Sequence, residues 1–175
     1  MTKKNDNEDS QDIDRWKEFE KHLPEGGVAK AFPTKEACRE RLASVRWPGG
    51  TTCLKCQTQN VGYHTARSVY YCRSCDYQFT AVTGTLLQSS KLHPQLWFEA
   101  AEEYIKWRAA HMGHDFGVHA FAEYMGVAYP TAWRMRKILK QDLGIEGGGL
   151  LARCICPDLH VDHFFRVEGR QHPLV

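Results

Sequence analysis

Apolar residues first recur at helical spacing at Ile13, Trp16, Phe19 and Leu23, and Pro24-Glu25-Gly26-Gly27 ends the pattern, so a short helix is predicted there. Residues 1–12 carry no such periodicity and read as a disordered polar tail. A second helical period runs through Cys38, Leu42 and Val45. Thr34 is placed to cap it near Ala37, and Arg46-Trp47-Pro48-Gly49-Gly50 breaks it. Beyond the break the composition turns to β-formers. Val61–Tyr71 supplies a pair of strands, and the β-branched run Phe79–Leu87 is expected to complete a three-stranded antiparallel sheet.

The second half of the chain returns to helical spacing. Pro94 suits the first turn of a helix, where its missing N–H costs nothing, and Trp97, Ala100/Ala101, Tyr104 and Trp107/Arg108 mark the buried stripe. Gly113 and Gly117 bracket a break. A short helix follows over Val118–Tyr124, then a tight Met125-Gly126-Val127 turn, then a helix from Tyr129 to Leu143. Helix, short helix, glycine turn and basic helix are the order of a helix-turn-helix domain. On the last helix Ala128, Ala132, Met135, Ile138/Leu139 and Asp142 fall on one side, with Trp133, Lys137 and Lys140 opposite. Gly144–Gly149 reads as a flexible linker to the remaining tail.

With the thiol pairs Cys53/Cys56 and Cys72/Cys75 flanking the strand pair, the fold class expected is therefore a small α+β protein of several modules, a three-stranded zinc ribbon followed by a helical helix-turn-helix domain. Residues 1–30 form an acidic, polar segment with a short helix, and 31–90 the ribbon with its preceding helix. Residues 91–143 form the helix-turn-helix domain, and 144–175 the glycine linker with a Cys/His tail.

The chemistry lies in the cysteines. Cys53-x2-Cys56 and Cys72-x2-Cys75, fifteen residues apart, let four thiolates close a tetrahedral shell around one Zn²⁺. The bland alternative, buried or disulfide-bonded cysteines, rarely produces two such pairs at this spacing. Cys154, Cys156, His160 and His163 place four further donors within ten residues and form a candidate second site. Against that, Cys-x-Cys is tighter than the usual knuckle.

Composition then narrows the setting. Over 175 residues, 42% hydrophobic and 25% charged is ordinary for a soluble chain, and no apolar run approaches the ~20 residues of a membrane span. The N-terminus is too polar for a secretory signal, so a reducing, cytoplasmic, nucleoid-associated home is expected. The net charge of +2 is small but segregated. Lys30, Lys35, Arg39, Arg41, Arg46, Lys55, Arg67 and Arg73 outnumber Glu36, Glu40 and Asp76 across the ribbon region, and Val127–Gln141 holds four bases and no acid. Two basic segments point to one anionic ligand surface, double-stranded DNA. Tyr129, Thr131 and Arg134 are the candidate contacts near base edges, with Lys137 and Lys140 for flanking phosphates and Arg136 as a further DNA-binding candidate. A solvated basic face is the plain alternative. Trp133 sits oddly on that polar face and is assigned to docking against a neighbouring domain or subunit, with DNA contact as the alternative.

Taken together, Ala37-Cys38, Leu42, Arg46-Trp47-Pro48-x-Gly50, both Cys-x2-Cys pairs, Tyr71-Cys72-Arg73-x-Cys75 with Phe79, Thr83-Gly84-Thr85, Lys91, Trp97-Phe98, Met125-Gly126-Val127 and Thr131–Met135 resemble the N-terminal half of zinc-ribbon insertion-sequence transposases of the acid-triad kind. The resemblance covers residues 31–143. It implies DNA binding by the ribbon and the helix-turn-helix, followed in that family by a ribonuclease-H-like catalytic domain. The matching first-aspartate motif would be Val161-Asp162-His163, where histidine stands in place of glutamate, and Glu168 is the sole acid after it. Two-metal phosphoryl chemistry needs several carboxylates. The expectation is thus a non-catalytic, transposase-derived DNA-binding regulator or accessory factor that neither cuts nor joins strands and acts as a homodimer. The alternative is an interaction module docking on a larger nucleoprotein machine, and the third reading is a transposase subunit.

Overall fold

A computed structural model describes the backbone of residues 6–159 and Phe164, with side chains from Ile13 onward. The elements in chain order are α1 (Asp6–Lys21), α2 (Val28–Ala31), α3 (Lys35–Arg46), β1 (Val61–His64), β2 (Val69–Cys72), β3 (Gln78–Phe79), α4 (Pro94–Ala110), α5 (Val118–Met125), α6 (Tyr129–Leu143) and α7 (Leu150–Ile155). Residues 6–12 belong to α1, where the sequence predicts a tail, and residues 1–5 of that predicted tail lie outside the described residues.

The sheet is antiparallel in the order β1-β2-β3, with Gly62 opposite Tyr71 and Tyr70 opposite Phe79. A Cβ at position 62 would overlap the Tyr71 ring, so glycine is what lets that ring lie across the strand pair. The third strand is only two residues long, shorter than the run Phe79–Leu87 predicts. Its hydroxyls explain the difference. Thr83 Oγ1 accepts the amide of Thr80, the Thr85 hydroxyl donates to the Val82 carbonyl, and Gln88 Oε1 accepts the Gly84 amide at 2.7 Å. Local side-chain bonds of this kind draw the backbone into turns and away from a ladder.

Helix α4 is the centre of the helical body. Its N-terminus starts at Pro94 and is capped by His93, whose Nδ1 accepts the Leu96 amide. Trp97, Phe98, Ala100, Ala101, Tyr104 and Ile105 are buried along it. Trp16 and Phe19 of α1, Cys38 and Leu42 of α3, and Leu151 and Ile155 of α7 are buried in the same core. Trp16 meets Tyr104 edge-on at 5.8 Å, and Phe32 meets Phe98 at 5.2 Å. Arg15 crosses from α1 to donate to the Leu143 carbonyl at 2.6 Å. The N-terminal helix is therefore part of the core.

The C-terminal segment also departs from expectation. Residues 144–149 form a compact turn, with the Gly149 amide donating to the Asp142 carbonyl at 3.0 Å. It delivers α7, whose Leu151, Ala152, Cys154 and Ile155 are fully buried. Buried Asp142 accepts the amides of Leu150 and Leu151 at 3.1 and 2.8 Å, and Arg41 donates to the carbonyls of Cys154 and Arg153 at 2.9 and 2.8 Å. An acid at its N-terminus and a cation at its C-terminus satisfy the short helix at both ends. The glycines serve a tight reversal, not a flexible linker. Among the described residues no helix is long and apolar enough to cross a membrane.

Candidate metal centre and basic face

The four thiols of Cys53, Cys56, Cys72 and Cys75 converge, with all Sγ atoms within 4.8 Å of one another. Each Cys-x2-Cys pair sits on the same local structure. In the first, the Gln57 amide donates to the Cys53 carbonyl at 3.0 Å and Gln57 takes a left-handed φ of 61°. In the second, Asp76 repeats this against Cys72 at 3.0 Å with φ 56°. The amides of Lys55 and Ser74, each two residues beyond a leading cysteine, point at Cys53 Sγ and Cys72 Sγ, both at 3.4 Å. Two copies of one turn, at the end of the strand pair where Val61 lies opposite Cys72, thus build one cage.

The cage fits a metal. Four sulfurs ~2.3 Å from a central tetrahedral ion lie ~3.8 Å apart, and Cys53–Cys75 and Cys56–Cys72 are separated by 3.7 and 3.5 Å. Burial resists ionisation of Cys53, but the amides of Cys56 and Lys55 and the neighbouring thiols outweigh it and bring its pKa down to about 6. At Cys75 the Tyr77 amide favours the thiolate, yet desolvation and the three other thiols push its pKa up to about 12. Four clustered thiols cannot all ionise unaided, and a central cation removes that conflict. Sequence spacing located the ligands. It did not locate the amide donors to sulfur, although their position two residues after each leading cysteine is the signal.

The ribbon is anchored to the body by Trp47, which meets Tyr70 at 5.4 Å and Phe79 at 5.8 Å. Arg46 lies over the Trp47 ring at 4.7 Å and donates to the Ala81 carbonyl at 2.7 Å. Burial pulls the Arg46 pKa downward, a cost this stacked and bonded position offsets.

On α6, Ala132, Met135, Leu139, Asp142 and Leu143 are buried, while Tyr129, Trp133, Arg134, Lys137 and Lys140 are exposed. Thr131 is half-buried. Lys137 Nζ lies 5.6 Å from the Trp133 ring centre. Arg136 differs from the expectation of a DNA contact. It flanks the core face, and its guanidinium is spent on Asp115 at 2.7 Å. Lys140 lies 3.6 Å from the same carboxylate but keeps its ammonium largely exposed.

Of the suggested second metal set, Cys154 and Cys156 lie among the described residues. Cys154 and Cys156 are buried in the core, where desolvation raises both thiols, Cys156 to about 12. Cys156 Sγ donates to the Phe19 carbonyl at 3.5 Å. His160, His163 and Asp162 of the Val161-Asp162-His163 motif lie outside the described residues.

A four-cysteine cage on a three-stranded antiparallel sheet defines a metal-binding ribbon, and residues 33–78 match the transposase zinc-ribbon domain. A 108-residue stretch is 27% identical to an uncharacterized protein in transposable element ISH50 of Halobacterium salinarum, covering 60% of this chain and 34% of that relative. The ribbon is thus similar to that transposase domain over residues 33–78, and the chain spans about a third of the length of the curated relative it matches. No solved structure matches the chain.

Proposed function

We propose that this chain is a zinc-dependent DNA-binding protein of transposase origin that acts in recognition or assembly, as a regulator or accessory factor, and not in strand cleavage. The observation that carries the reading is the exposed face of α6, where Tyr129, Arg134, Lys137 and Lys140 stand together without an acid of the same helix among them. Supporting it, α5 packs on α6 across a turn in which Gly126 takes φ 61° and its amide meets the Ala122 and Glu123 carbonyls. That arrangement suits a helix-turn-helix whose second helix enters the major groove, with Arg134 near base edges and Lys137 and Lys140 on phosphates. Thiolate-only donors at tetrahedral spacing suit Zn²⁺.

Fluorescence anisotropy with duplex DNA tests this. Affinity should fall with salt at a log–log slope of about 0.9 per phosphate neutralised, and changing both Lys137 and Lys140 to Ala should reduce the slope by close to two such increments. Duplex binding that is absent at moderate ionic strength, or whose slope is untouched by the double change, rejects the reading.

A second reading, docking on a partner or a second copy, is favoured by the exposure of Met112, Tyr124 and Trp133, at 70%, 62% and 50%. Light scattering of the wild type and Trp133→Ala decides it. A dimer that the substitution dissociates supports docking, and a monomer in both opposes it.

A further inference from the structure

The α6 face does not end at the helix. One groove of about 660 Å³ lies between the segment leaving the ribbon and α6, lined by Leu86, Lys91, Trp97, Trp133, Arg134 and Lys137 among others. A second, of about 390 Å³, lies between the ribbon and the start of α4, and its cations are Lys35, Arg39, Arg67 and Lys91. Ser90, Lys91, Leu92 and Trp97 line both, so the two grooves meet. No aspartate or glutamate lines either one. Arg39 is paired with Glu36 at 2.8 Å, but Lys35, Arg67, Lys91, Arg134 and Lys137 have no ion-pair partner among the described residues.

The walls are as informative as the charge. Trp133 stands half-exposed at one end with Lys137 over its ring, Tyr63 is 45% exposed at the other, and Trp97 closes the floor with its Nε1 donating to Ser90 Oγ at 3.0 Å. A duplex is read by elements that protrude into its grooves. A concave path combining cations with aromatic faces suits a single strand instead, because cations follow the phosphates while bases stack on the rings whatever their identity.

We propose that this trough holds an unpaired stretch of DNA strand leading away from duplex bound at α6, with Trp133 as a stacking platform and Lys91 at the junction of the two grooves. The proposal rests on the DNA-binding reading above and adds a preference for duplex with a single-stranded tail.

The experiment compares a labelled blunt duplex with the same duplex carrying an oligo-dT tail of about ten nucleotides, within the span such grooves usually cover, on either the 3′ or the 5′ end. One tail polarity should tighten binding by about tenfold, the order expected when one or two bases stack. Trp133→Ala should remove most of that gain, Trp133→Phe should keep most of it, and Lys91→Ala should reduce it while leaving blunt-duplex affinity within about twofold, as expected of a phosphate contact made only by the tail. Circular dichroism confirms that each variant is folded.

Equal affinity for blunt and tailed duplex overturns the trough and leaves the duplex reading intact. Binding of oligo-dT without any binding of blunt duplex rejects the duplex reading and, with it, a strand leading away from duplex bound at α6. Failure of both DNAs rejects both. Displacement of the tail by a poly-glutamate peptide at equal charge would make the groove a site for acidic protein, which also overturns the proposal.

Discussion

Asp115 decides what the basic helix can offer. Its Oδ1 accepts the Tyr104 hydroxyl at 2.7 Å and its Oδ2 accepts Arg136 at 2.7 Å, so one carboxylate ties α4 to α6. Desolvation opposes the charge, but Tyr104, Arg136 and Lys140 outweigh it and hold the carboxyl below its ordinary value of 3.8. A depressed carboxyl stabilises the fold fully above its unfolded pKa and loses that effect as pH falls through the folded one. With the side chain about a third exposed, Asp115→Asn should cost about 1 kcal/mol at pH 7 after solvent screening. In urea titrations the gap between wild type and variant should shrink as pH drops below about 4, and a gap of constant size down to pH 2 refutes this account. The same pairing separates two neighbouring arginines. Arg134→Ala should weaken duplex binding by about 1–3 kcal/mol, whereas Arg136→Ala should lower stability with little change in salt slope. Equal loss of DNA affinity in both would mean that Arg136 leaves Asp115 when DNA binds.

Among the elements, helix ends decide more than helix middles. The six residues of α7 would not hold a helix alone, since nucleation is costly and few bonds reward it. Asp142 and Arg41 supply what its length does not. Asp142→Ala strips two buried amides of their acceptor and should destabilise the protein by about 1–3 kcal/mol, with faster hydrogen exchange at Leu150 and Leu151. Unchanged exchange there would show that the turn alone holds the helix. Sequence pattern could not reveal this cap, because Asp142 lies eight residues before its partner and reads as one more position on α6. The same limit explains the glycine turn, which composition alone cannot tell from a linker. Where a signal is local it was legible: Thr34 accepts the Ala37 amide at 3.0 Å, and the bounds Tyr129–Leu143 agree with the periodicity. The convergence of Cys53, Cys56, Cys72 and Cys75 was legible from spacing. The trough was not, because Lys91 and Trp133 are forty-two positions apart and only packing brings them to one groove.

At the scale of the whole molecule, the ribbon and the helical body depend on different sources of stability. The body buries Trp16, Phe98, Tyr104, Leu139 and Leu151 in one core. The ribbon adds Phe79 and Ala81 to that core, but it has only two four-residue strands and a two-residue one, so the cage is expected to hold much of its order. A segment that small does not bury enough surface to fold alone, and a structural zinc site contributes on the order of 10–16 kcal/mol of apparent binding energy at neutral pH. Removing the metal with a chelator should therefore unfold residues 46–87 while the helical circular dichroism largely persists. Trp47 reports the event, since it loses Tyr70 and Phe79 and enters water. Its emission should shift to the red, and subtracting a Trp47→Phe spectrum isolates that shift from the four other tryptophans. Cys72→Ser should reproduce the change without chelator and bind less than one metal per chain. Because Lys35, Arg39 and Lys91 belong to the groove beside the ribbon, loss of metal should also remove any advantage of a DNA tail before it abolishes binding at α6. A single cooperative collapse of the helical signal on chelation would instead mean that Trp47 couples the two parts into one folding unit.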